Sequence, residues 1–86
     1  MRTLIADCSN FVLEHLVYIV DDRTGENVAI MHLPTSEIVS YVANDTNIHL
    51  VKLFGIKEFC NGVKEDIEKQ LSSLEYSNRK LEIEVL

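Results

Sequence analysis

The apolar run Leu4-Ile5-Ala6 ends in one carboxylate, Asp7, followed directly by Cys8 and Ser9. An acid at the end of a buried strand is placed to hold a divalent cation, because hard cations take oxygen ligands. A second acid, Glu37, follows Pro34-Thr35-Ser36, where a helix would begin. Metal-dependent phosphoryl chemistry asks for more than this. Two ions about 4 Å apart must activate a water and stabilise the leaving oxygen, and a single carboxylate cannot fix both. Asp7 is thus the candidate metal ligand. The simpler expectation makes Asp7 a strand-terminal acid bonded by backbone N–H groups or water. Glu37 is then an acid drawn to the positive end of a helix dipole.

The other reactive side chains point away from catalysis. Cys8 and Cys60 both lie inside apolar periodic segments, as expected of buried, reduced thiols. Zinc would need ligands paired within about two to four residues, and neither cysteine nor any of His15, His32 and His49 has such a neighbour. The three histidines fall on different strands, where structural or surface roles are expected. Three glycines make no phosphate-cradling loop, and no Ser or Cys stands in a nucleophile motif. The expectation is a non-enzyme without a cofactor.

At 86 residues the chain is expected to form one domain, 1–86, close to the smallest size that folds on a single core. Its apolar fraction of 47% is that of a globular protein, too high for a disordered one. The longest apolar stretch, Phe11 to Val20, is interrupted by Glu14 and His15 and falls short of the roughly 18 residues a membrane span needs. One Arg and then an acid near the amino terminus do not read as a secretory signal, so a soluble cytoplasmic protein is expected. Fourteen acids against 8 basic residues give a net charge of -6. Nucleic-acid binding draws on a cationic surface, and the basic residues here are scattered, with only Arg79 and Lys80 adjacent. A partner protein with a basic surface fits better.

The elements that must position these residues follow from periodicity. Arg2 to Cys8 reads as a strand apolar on both faces, with Leu4 and Ala6 on one and Ile5 on the other, as suits a central strand. His15 to Val20 and Val28 to Leu33 form a hairpin around the turn-rich DDRTGEN. Pro34 stops the second of these strands, and Thr35 or Ser36 is placed to cap a short helix that buries Ile38, Val39, Tyr41 and Val42 and ends near Asn44-Asp45. A fourth strand runs from Ile48 to Phe54. From Ile56 to about Leu74, Phe59, Cys60, Val63, Ile67 and Leu71 recur at helical spacing, with charges opposite. After the loop EYSNRK, the segment LEIEVL alternates strictly: Leu81, Ile83 and Val85 on one face, Glu82 and Glu84 on the other.

The order β-β-β-α-β-α-β has a simple solution. Hairpins set the first three strands side by side, and two right-handed crossovers add the last two. The expected fold is α/β, a five-stranded mixed sheet of order 3-2-1-4-5 with both helices on one face. With LIADCS on the first strand, the hairpin at DDRTGEN, and IHLVKLFG leading into a helix, this order resembles the ribonuclease H-like superfold, shared by ribonuclease H and the RuvC-type and YqgF-type resolvase-like proteins. IHLVKLFGIKEFCNGVKEDI is also similar to small proteins of phages and mobile elements. The superfold resemblance implies metal-binding acids on strand 1, the first helix, the end of strand 4 and a final helix. Asp7 fills the first position and Glu37 loosely the second, and the resemblance thereby implies these two as the candidate catalytic residues. Leu53, Phe54 and Gly55 stand at the third, and the sequence as given, ending at Leu86, offers nothing at the fourth. A minimal metal-dependent nuclease completed by a second subunit is therefore the alternative to a non-catalytic interaction module.

With both helices on one face, the opposite face of the sheet is expected to stay open although its strands are apolar there. Such a patch suits contact with another copy, as a dimer, or with a different protein. The connection SNFVLEH offers another cover, through Phe11, Val12 and Leu13.

Overall fold

The alternation in each strand sorts its side chains into two faces, and pairing aligns those faces into rows. The structure, a computed structural model, describes residues 1–9, 13–73 and 80–86. Its elements are β1 (Arg2–Cys8), β2 (His15–Asp21), β3 (Asn27–Leu33), α1 (Thr35–Asn44), β4 (Ile48–Gly55), α2 (Lys57–Ser73) and β5 (Glu82–Val85). They form one sheet in the order β3-β2-β1-β4-β5. β2 is antiparallel to both its neighbours, and β1, β4 and β5 run parallel. The expected topology is the observed one.

On one face, Ala29, Ile19, Leu4, Val51 and Ile83 line up across all five strands, and Met31, Val17, Ala6, Leu53 and Val85 form the next row. Ile38, Val39 and Val42 from α1 and Cys60, Val63 and Ile67 from α2 close over these rows to make the core. Each large aliphatic side chain buried there contributes about 1.5–3 kcal/mol. Both helices thus cover the same face, as two same-handed crossovers running in one direction require.

Several boundaries differ from expectation for local reasons. Thr35 and Ser36 do not cap α1: Pro34 occupies the cap without a side-chain bond. Its carbonyl accepts the N–H groups of Glu37 and Ile38, both at 3.0 Å. The Thr35 hydroxyl lies instead 3.4 Å from Nε2 of His15. β5 is shorter than the segment LEIEVL, starting only at Glu82. α2 ends at Ser73, and Leu74 with most of the loop EYSNRK lies outside the described residues. At the end of β4, Gly55 adopts φ +123, and a Cβ there would sit 2.6 Å from the Cys8 carbonyl oxygen. That closeness lets the Ile56 N–H donate to the same carbonyl at 3.0 Å, which ties the start of α2 to the end of β1.

Candidate interaction surface

Asp7 leaves β1 on the side of Thr3 and Ile5, away from the helices, and its partner across the sheet is Phe54 of β4. The Ser9 N–H donates to its Oδ1 at 2.9 Å, and the Ser9 hydroxyl donates to the same oxygen. The Ser9 hydroxyl, then the Ser9 N–H, hold the Asp7 carboxyl below the usual aspartate value. Glu37 is exposed on the first turn of α1, in the layer on the opposite side of the sheet. The structure therefore does not bring the two candidate acids together, and a phenylalanine stands where a third acid would be wanted. Among the described residues, no three His, Cys, Asp or Glu side chains cluster as a metal site would require.

Cys8 and Cys60 are free and buried in the core. Burial, and then the neighbouring Cys60 thiol, pushes the Cys8 thiol up to about 12. His15 is also buried, edge-on to the Phe59 ring at 4.7 Å, and its Nδ1 has no hydrogen-bond partner. His32 is exposed on β3.

His49 belongs to a constellation that sequence reasoning missed. Its Nε2 bonds to Oδ2 of Asp22, while the Thr3 hydroxyl donates to Oδ1 of Asp22 at 2.7 Å. Hydroxyl, carboxylate and imidazole are the parts of a nucleophilic triad, but their order is wrong for one. The Thr3 hydroxyl is bonded to the carboxylate and not to the imidazole, so these three groups do not form the nucleophile–base relay of a triad. The cluster instead ties the starts of β1 and β4 to the β2–β3 turn, aided by the Asp22 N–H, which donates to the Met1 carbonyl at 3.1 Å. Thr3 first, and then His49, hold the Asp22 carboxyl below its ordinary value. Partners 19 and 27 residues away leave no local signal.

The face opposite the helices carries the larger feature. Ile30, Tyr18, Ile5, Lys52 and Glu84 form a row across the whole sheet, and Val20, Thr3, Leu50 and Glu82 form another. Ile5, Leu16, Tyr18, Val20, Leu50 and Phe54 are only half-buried, and Ile30 is 58% exposed. Among the described residues no element packs on them. Leu13, expected as a possible cover, is 91% exposed. Phe11 and Val12 lie outside the described residues. The face is apolar over β3, β2, β1 and the Leu50 and Phe54 positions of β4, and charged at Lys52 and along β5, where Lys52 stands beside Glu84. Shallow grooves mark the helical side, among them one of about 550 Å³ between α1 and α2 and one of about 440 Å³ between α1 and the β3 edge. No helix among the described residues is long and apolar enough to cross a membrane.

No protein-family model matches this chain, and no curated protein matches it.

Proposed function

We propose that this chain is a non-catalytic interaction module that binds another protein through its uncovered sheet face. The observation that carries the reading is the partly exposed apolar block of Ile5, Leu16, Tyr18, Val20, Leu50 and Phe54, with no described element over it. Covering roughly 300 Å² of it would contribute several kcal/mol at about 25 cal/mol/Å², which matters to so small a domain. Glu82 and Glu84 border the block, and the chain as a whole carries -6. A partner with an apolar centre and a basic rim is complementary to both. The strand order supports a relation to the ribonuclease H-like superfold, with Asp7 a fold-signature residue bonded to Ser9.

The test places a photo-crosslinking residue at Tyr18 in the source cell, with Glu65 on the outer face of α2 as the control position. One defined adduct should form from position 18 and not from 65. It should disappear in a folded Ile5→Lys variant and weaken with added salt. Adducts that ignore Ile5→Lys would refute the reading. Titration calorimetry with Mg²⁺ or Mn²⁺ examines the nuclease alternative. Metal binding abolished by Asp7→Asn would put that alternative in place of an interaction module.

A further inference from the structure

We infer that β3 is a self-pairing edge, through which two copies of the chain join antiparallel into one ten-stranded sheet. The two ends of the sheet are built differently. β5 has four residues, two of them the acids Glu82 and Glu84, which is how natural sheets guard an edge. β3 has seven residues, NVAIMHL, with no formal charge and no proline. Its backbone presents a row of donors and acceptors on the side away from β2, and Val28 (52% exposed) and Ile30 flank that row. An uncharged, proline-free strand at a sheet edge is a template for another strand.

The occupant is a second copy because β3 complements itself. Its central residue is Ile30. A two-fold pairing there sets Ile30 against Ile30, Ala29 against Met31, and Val28 against His32, with no like charges opposed. The register irregularity lies at the Asn27 end, leaving the segment around Ile30 regular. Like parity in this register keeps both helical layers on one side and both apolar faces on the other. The groove beside the edge, lined by Leu33, Glu37 and Tyr41, then lies against the seam. The acids of α2 and β5 lie toward the opposite edge of the sheet, while Glu37 stands in the groove at the seam.

Sedimentation of the purified chain should give a reversible equilibrium between one and two chains. Ile30→Lys should shift it to one chain at every concentration reached, while Ile5→Lys, central in the sheet and off the seam, should leave it unchanged. Amide exchange on the wild-type chain gives a readout that does not depend on any variant folding. The β3 amides should gain protection as concentration rises, and the β5 amides should not. A wild-type chain that stays single, a dimer undisturbed by Ile30→Lys, or β3 amides indifferent to concentration would overturn the proposal. A dimer dissociated by Ile5→Lys would place the contact on the open face instead. Partner binding is read separately by the Tyr18 adduct, so the seam and the binding role can fail independently.

Discussion

Replacing Gly55 by alanine should damage this fold more than its one added methyl suggests. Gly55 holds φ +123, where an L side chain is strained by about 1–3 kcal/mol. The new Cβ would also meet the Ser9 nitrogen and stand 2.6 Å from the Cys8 carbonyl oxygen, both backbone atoms that no rotamer change can move aside. Relief requires the ends of β1 and β4 to part, which loosens the bond of 3.0 Å from Ile56 to Cys8, worth about 1 kcal/mol. The expected loss is about 3–5 kcal/mol, against a total stability of roughly 4–13 kcal/mol for a chain of this size. In a thermal melt that is a fall of roughly 15–30 °C. Gly62 supplies the control. It lies within α2, and a Cβ added there would meet nothing within 4 Å, so Gly62→Ala should stabilise by about 0.5–1 kcal/mol. A Gly55→Ala melt close to wild type, or a pair of variants that move together, would refute the reasoning.

Other consequences are open to direct measurement. Asp7 and Asp22 both have lowered carboxyl values in the fold, so the stability they contribute is complete above about pH 4 and is lost as pH falls through their folded values. Carboxyl NMR titration should find both below the ordinary aspartate value, and Asp22→Asn should flatten the acid limb of a urea-stability profile. His15→Leu, which removes the unpartnered Nδ1 and roughly keeps the volume, should hold stability within about 1 kcal/mol, whereas His15→Ala should cost about 2–4 kcal/mol in a thermal melt by leaving a cavity. With Cys8 pushed up to about 12 and both thiols buried, a thiol-reactive chromophore should label neither cysteine until denaturant is added, and then both.

The fold was legible because its signals are periodic and short-range. Leu81, Ile83 and Val85 against Glu82 and Glu84 announce a strand with one wet face, and Phe59, Cys60, Val63 and Ile67 announce a helix with one dry side. The cap of α1 was not legible, because Thr35 offers the right side chain but lies beside His15, which is distant in sequence. The link of His49 to Asp22 was hidden for the same reason: strand pairing, not local spacing, makes them neighbours. For the candidate acids the residue types were visible but their geometry was not. Glu37 follows a strand end that lies near Asp7 in the sheet, yet the helix layer and the parity of β1 put the two on opposite sides.

The place of β1 in the sheet bears on how the chain reaches its fold. β1 is the first element in the sequence, yet it pairs in parallel with β4, beyond the whole of β2, β3 and α1. The β2–β3 hairpin can close by itself within about 1–10 μs, but the central ladder must await a long loop closure. Folding should therefore run in the millisecond-to-second range of non-local β topologies rather than at the pace of a helical bundle. Until β4 arrives, Leu4, Ile5 and Ala6 have only one neighbouring strand to shelter them. The same uncovered residues that make a sheet centre in the native state are then the ones most exposed to mispairing during synthesis.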